Sequence, residues 1–98
     1  MGLVGYATRT ERHTYREPGM TLGEERVRVS FNPGGKPLVE EIKRKTAELI
    51  DLCAKLRAEV ADSDRPQHEL GEIFRCISLA QTHFEDAAMW AVKAATAP

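Results

Sequence analysis

From Val39 onward, apolar and small residues recur at Val39, Ile42, Thr46, Leu49, Cys53, Leu56 and Val60, in alternating steps of three and four. That spacing predicts one packed face of an α-helix. A second series obeys the same rule: Leu70, Ile73, Ile77, Ala80, Phe84, Ala87, Ala91 and Ala94. Pro37 suits a first helical turn, where its missing N–H costs nothing, and Glu40 and Glu41 complement the helix dipole. Between the two series, Ala-Asp-Ser-Asp-Arg-Pro holds a turn, and Asp64 with Gln67 has capping-box spacing. The predicted helices cover about 37–61 and 65–96, roughly 38 and 48 Å long at 1.5 Å rise per residue. So short a connection favours an antiparallel pair.

Upstream, Arg26-Val27-Arg28-Val29-Ser30-Phe31 alternates polar and apolar residues, the period of a short strand or extended arm. Residues 1–24 carry no periodic signal. Six of the seven glycines fall in residues 1–36, so the irregular part precedes the helical part. The expected fold is therefore all-α: an antiparallel two-helix hairpin, residues 27–98, behind an N-terminal extended arm, residues 1–26.

The second helix carries more apolar surface than one neighbour can cover. From Ala87 to Ala97, nine of eleven residues are apolar, so the segment needs cover on every side. Met89, Trp90 and Val92 face away from the seam, and Phe74 adds to the surplus. Either the N-terminal arm folds back over them or copies of the chain associate. A two-helix hairpin of this size is usually insufficient alone, so a homo-oligomer with Phe74, Met89, Trp90 and Val92 at its interface is expected.

Composition narrows the function classes. With 98 residues there is room for one domain. A formal net charge of −1 gives no bulk attraction to long nucleic acid or to an anionic membrane. No apolar run reaches 18 residues, and Met1 to Tyr15 contains no apolar signal core, so the cytosol is expected. Cys53 and Cys76 form neither a disulfide framework nor a zinc site and read as small core residues. His13, His68 and His83 lack metal-ligand spacing, and adjacent Glu85 and Asp86 point to different helix faces. Neither catalysis, a metal nor a cofactor is expected.

Binding residues are easier to find. In Asn32-Pro33-Gly34-Gly35-Lys36-Pro37, glycines before a helix can turn backbone N–H groups toward an anion, with Lys36 beside them. The spacing is not that of a P-loop, and a plain turn into the helix accounts for it equally well. Lys43, Arg44 and Lys45 form a basic run that reads as a solvated face. Together with Arg75 and with Arg9, Arg12, Arg16, Arg26 and Arg28 upstream, it also suits a small anionic ligand. Tyr6, Tyr15 and Phe31 offer aromatic faces for packing or for a stacked base.

Val29-Ser30-Phe31-Asn32-Pro33-Gly34-Gly35, Val39-Glu40-Glu41-Ile42-Lys43, Ala80-Gln81-Thr82-His83-Phe84-Glu85 and Ala88-Met89-Trp90-Ala91-Val92-Lys93-Ala94-Ala95-Thr96 follow one another in order. Together, over about residues 27–97, they resemble the helical-hairpin domain of phage nucleotide sponges, the anti-CBASS sponges and their anti-Thoeris relatives. The resemblance implies a phage anti-defence protein, acting in the cytoplasm of the infected bacterial host. Such a protein sequesters cyclic di- or trinucleotides, or cyclic ADP-ribose-type signals, without cleaving them. It also implies a homo-oligomer, typically a hexamer, with pockets between protomers. Ile42-Lys43 resembles the family's cationic element, and Tyr15-Arg16 its aromatic one, with Phe31 as the alternative stacker. Arg75 and Thr82 have the spacing of the family's trinucleotide pocket, while Gln81 stands where many relatives carry arginine. The expected ligand-binding residues are thus Tyr15, Phe31, Asn32, Gly35, Lys36, Lys43, Arg75 and Thr82. The alternative is a helical module that binds a host protein through the Trp90 face.

Overall fold

The computed structural model describes residues 19–98. Three helices follow in order: α1, Leu22–Val27; α2, Pro37–Ala61; and α3, Gln67–Ala95. No strand occurs among the described residues, and none of their helices is long and apolar enough to cross a membrane. The described chain is all-helical.

The first long helix occupies the predicted residues. Pro37 opens α2 at its N-terminal turn, with Glu40 following, and no side chain caps it. The approach is a turn in which Gly34 (φ 84°) and Gly35 (φ 62°) take left-handed backbone. The start of α3 is different. Its N-cap is Pro66, with no side-chain cap, rather than Asp64. Extended backbone at Pro66 (φ −62°, ψ 151°) already sets the helix entry, so the Asp64 carboxylate has no capping role.

Residues 26–31 are not a strand or extended arm. Thr21 and Glu24 form a capping box: the Thr21 hydroxyl accepts from the Glu24 N–H, and the Glu24 carboxylate accepts from the Thr21 N–H. That box starts α1, which runs across the boundary drawn between residues 26 and 27. Arg28 ends the helix in left-handed backbone (φ 56°, ψ 60°), its N–H donating to the Glu24 and Glu25 carbonyls. Local capping outweighs the two-residue alternation of Val27, Val29 and Phe31.

Helix α1 is short enough to need a platform, and α2 supplies it. Gly23 lies against the backbone of Ala47 so closely that a Cβ at Gly23 would fall 2.0 Å from the Ala47 carbonyl oxygen. The Gly23 N–H donates to Asp51 Oδ1 at 2.8 Å, satisfying a helix-start donor. Around this contact, Val27, Ala47, Ile50 and Ala88 form the buried core, with Leu22, Val29 and Phe84 packed at its edge.

Helices α2 and α3 meet along a face shifted from the predicted seam. On α2 the buried positions are Val39, Lys43, Ala47 and Ile50, whereas Ile42, Leu49 and Leu56 are exposed. On α3, Ile77, Gln81 and Ala88 are buried, while Ala87 and Ala94 are exposed. Two causes act. A strict seven-residue frame drifts by about 20° per heptad from a straight helix. Moreover, the buried face of α2 uses a lysine and an alanine, which an apolar count passes over. Across this face the Gln81 side-chain amide donates to the Ile50 carbonyl at 3.1 Å, and the Arg57 guanidinium donates to Ser78 Oγ (2.9 Å) and Gln81 Oε1 (3.2 Å). Gln81, the departure from arginine in the resemblance, is a buried brace between the two helices.

Replacing Gly23 with Ala tests the α1 platform. Alanine is the better helix former by about 1 kcal/mol, so without the contact the variant gains stability. With it, backbone must separate from backbone, and a loss of roughly 1–3 kcal/mol is expected in chemical denaturation. Amide exchange should accelerate at Val27 to Phe31.

Candidate functional site

Where α1, the turn after it, α2 and α3 converge, they leave a cavity of about 460 Å³. That lies within the range of small-molecule sites. Its walls include Arg26, Arg28, Phe31 and Lys43 on one side and Thr82, Glu85, Met89 and Val92 from α3 on the other. Three cations and two carboxylates, Glu85 and Asp86, line it, a formal excess of one positive charge.

The cations are held in three different ways. Arg26 is committed to α3: its guanidinium donates to Glu85 Oε1 (Nε, 2.8 Å) and lies near Thr82 Oγ1 (Nη2, 3.5 Å). Lys43 is buried, 3% exposed, and its ammonium donates to the carbonyls of Arg28 (2.9 Å) and Phe31. Burial, followed by repulsion from Arg28, holds the Lys43 pKa below the usual lysine value. Arg28 is exposed, with its guanidinium carbon 5.3 Å from the centre of the Phe31 ring, and Lys43 Nζ lies 5.2 Å from the same ring. Phe31 itself is 53% exposed, so part of its ring is open beside two cations.

Three of the predicted ligand-binding residues, Phe31, Lys43 and Thr82, come together in this cavity. Lys43 does so as a buried hydrogen-bond donor to backbone, not from a solvated face. The glycine-turn residues lie elsewhere. The Gly35 N–H donates to the Asn32 carbonyl at 3.0 Å, Asn32 Nδ2 donates to the Lys36 carbonyl at 3.0 Å, and Lys36 Nζ donates to the Ala95 carbonyl at the end of α3. Those bonds knit the turn to the hairpin and occupy the groups assigned to an anion. Arg75 is exposed and paired in two-pronged fashion with Glu72 (Nε 3.1 Å, Nη2 2.8 Å), which raises its pKa and lowers that of Glu72. Arg75 does not line the cavity that holds Thr82, and Tyr15 lies outside the described residues.

The four residues expected at an interface divide. Met89 and Val92 line the cavity, and Met89 remains 59% exposed. Trp90 is 56% exposed, with Lys93 Nζ 5.1 Å from its ring. Phe74 is half-buried under the Arg57 guanidinium, 5.6 Å from ring centre to carbon. Sequence reasoning missed Arg26, Arg28 and Glu85 as cavity residues. The Thr21-x-x-Glu24 spacing was the available signal, because a helix at 22–27 aims this arginine pair at α3. No group of three or more potential metal ligands occurs among the described residues.

A family model described as the Acb2/Tad1 hairpin domain matches residues 23–96. The chain belongs to the Acb2/Tad1 hairpin family. These are the anti-CBASS and anti-Thoeris sponges, which as a family sequester cyclic nucleotide signals. Neither a curated protein nor a solved structure matches the chain. The family match begins within α1, one residue after its start, and so takes in Arg26, Arg28 and the turn beneath the cavity.

Lys43 gives the site a testable pH signature. Its folded pKa lies below 10.5, so over the interval between the two values the unfolded chain holds the proton more firmly. Stability contributed at this position therefore rises with pH. Lys43→Met should lower stability by about 1 kcal/mol near neutrality, because two carbonyls lose a donor. The deficit relative to wild type should widen as pH increases toward 10.5. Melting temperatures of both proteins along a pH series check the sign.

Proposed function

We propose that this Acb2/Tad1 hairpin protein binds and stores a cyclic nucleotide immune signal without cleaving it. The observation that carries this reading is the cavity beside the half-open Phe31 ring, flanked by Arg28 and Lys43, on a chain of a sponge family. An aromatic face takes a base, neighbouring cations take phosphate, and α3 supplies Thr82 and the apolar floor. The ligand class is cyclic di- or trinucleotides or cyclic ADP-ribose-type molecules, and the place of action is the cytoplasm of the infected bacterial host. Arg75 belongs to a separate determinant, for trinucleotides, if its pairing with Glu72 opens. Lys36, Asn32 and Gly35 support the site through the turn rather than by direct contact.

The working unit of this reading is a homo-oligomer, a hexamer, of antiparallel hairpins. Pairing of Lys36 with Ala95, Ile50 with Gln81 and Arg57 with Ser78 supports the antiparallel arrangement, because partners descend α3 as α2 ascends. Exposed large apolar residues support association: Leu38, Ile42, Leu49, Leu52 and Leu56 along α2, and Leu79, Met89 and Trp90 on α3. The buried core is small for a free-standing monomer. The α2 stripe widens the interface beyond Met89 and Trp90.

Storage predicts thermal stabilisation by at least one of cyclic di-AMP, cyclic ADP-ribose and cyclic triadenylate, about 2.7 kcal/mol at a hundredfold excess over Kd. Chromatography after denaturation should return the bound compound intact. No shift with any of the three, or recovery of a cleaved product, overturns the reading; the former is what a host-protein interaction module would give.

Light scattering checks assembly. The wild type should run at a multiple of 10.9 kDa. Combined Leu52→Glu and Leu56→Glu, one helical turn apart on the exposed stripe, should bring the mass down to that of one chain. A wild-type mass of 10.9 kDa removes the oligomer.

A further inference from the structure

Of the three cations lining the cavity, Arg28 alone gives no hydrogen bond or ion pair to a described residue. Arg26 spends its guanidinium on Glu85 and Thr82. Lys43 has three donors, and two of them are already given to the carbonyls of Arg28 and Phe31. Arg28 makes no side-chain hydrogen bond or ion pair with any described residue, while its guanidinium lies at the cavity wall next to the Phe31 ring. We propose that Arg28 is the phosphate-binding residue of the cavity, and that Lys43 acts as a positioning residue holding the 28–31 backbone so that Arg28 and Phe31 face the same bound nucleotide. This inference rests on the cyclic-nucleotide reading and assigns roles within it.

The backbone favours the assignment. Arg28 occupies the left-handed C-cap of α1, a position where glycine is the default because an L side chain is disfavoured there. A cap alone asks for no guanidinium. Keeping arginine there is a cost in stability that a binding function offsets. Lys43 holds that strained residue in place: it bonds the carbonyls at both ends of the segment, those of Arg28 and Phe31, while the Phe31 N–H donates to the Arg28 carbonyl at 2.8 Å. The segment thereby presents a planar five-donor fork next to an aromatic face. With the guanidinium 5.3 Å from the centre of the ring, the pairing suits a phosphate close beside a stacked base. Glu85 is neutralised by Arg26, so Arg28 and Lys43 stand against Asp86 alone in the cavity lining, a balance of one positive charge.

The test is calorimetry with cyclic di-AMP, cyclic ADP-ribose and cyclic triadenylate on wild type, Arg28→Gly, Arg28→Asn and Lys43→Met, at low and high salt. Arg28→Gly removes the side chain and the backbone strain together. It should raise the melting temperature while weakening the bound member of the panel by roughly 10- to 150-fold, the loss expected for a charge-assisted contact. Arg28→Asn, which also tolerates left-handed backbone, should show the same loss of binding on an independent background. Both should flatten the salt dependence of Kd, because an ionic contact has gone. Lys43→Met should weaken binding and lower the melting temperature, and should flatten the salt dependence of Kd less than either Arg28 variant does. Wild-type binding with Arg28→Gly and Arg28→Asn within twofold of it overturns the assignment alone, and the sponge reading stands. A flattened salt response in Lys43→Met, with Arg28→Gly unchanged, gives the phosphate to Lys43 and likewise overturns it. Absence of binding to all three compounds by the wild type overturns the sponge reading and this assignment with it.

Discussion

Everything at the site depends on one close backbone approach. Gly23 lets α1 rest directly on Ala47, and the Asp51 carboxylate accepts its N–H. A six-residue helix has no stability of its own, so its direction is dictated by this contact. With α1 docked, Val27 enters the core beside Ile50 and Ala88, and Arg26 lies within reach of Glu85 on α3. The turn that follows must then double back toward Pro37, and its carbonyls fall over Lys43. The cavity is the space left between that turn and α3. It is a consequence of helix docking, not a pocket cut into the hairpin.

The hairpin was legible because its signals are local and redundant. Periodicity, Pro37 and the Asp-Ser-Asp-Arg-Pro turn all mark the same long helices, and α2 occupies 37–61 as expected. Register was not legible to the same degree. Counting apolar residues put Ile42, Leu49 and Leu56 on the seam, yet they are exposed, and Val39, Lys43, Ala47 and Ile50 are buried. A lysine joins a buried face when carbonyls of a distant turn lie above it to accept from its ammonium, and nothing near Lys43 in sequence announces them. Position 47 is buried because its backbone lies against Gly23, a contact 24 residues distant in sequence. Long-range geometry decides both positions.

The site was read in the same uneven way. Phe31, Lys43 and Thr82 meet in one cavity, whereas the resemblance put Thr82 with Arg75 in a trinucleotide pocket and Lys43 in a separate cationic element; Lys43, moreover, spends its ammonium on backbone. Asn32, Gly35 and Lys36 looked like an anion cradle because glycine, lysine and a helix start commonly make one. Their donors instead satisfy the turn and the end of α3, which leaves a well-tied approach to α2. Arg75 failed to reach Thr82 for a simple reason: Glu72 sits one turn away on the same helix and meets its guanidinium with two oxygens. The decisive residues, Arg26 and Arg28, were counted among the cations but placed on an arm. The capping box of Thr21 and Glu24, just upstream, determines their true position.

Charge arrangement explains how a chain of net negative charge lines a cavity with an excess of cations. The chain as a whole carries −1, and its exposed helix faces hold ion pairs such as Glu40 with Arg44, Glu41 with Lys45 and Arg65 with Glu69. Such pairs cancel at short range and add little stability, but they leave no extended positive field for a polymer to follow. Inside the cavity the balance reverses by a single charge. Beyond about 8 Å at physiological salt that local excess is screened. Its pull therefore acts on a group inside the cavity and not along the surface of the chain.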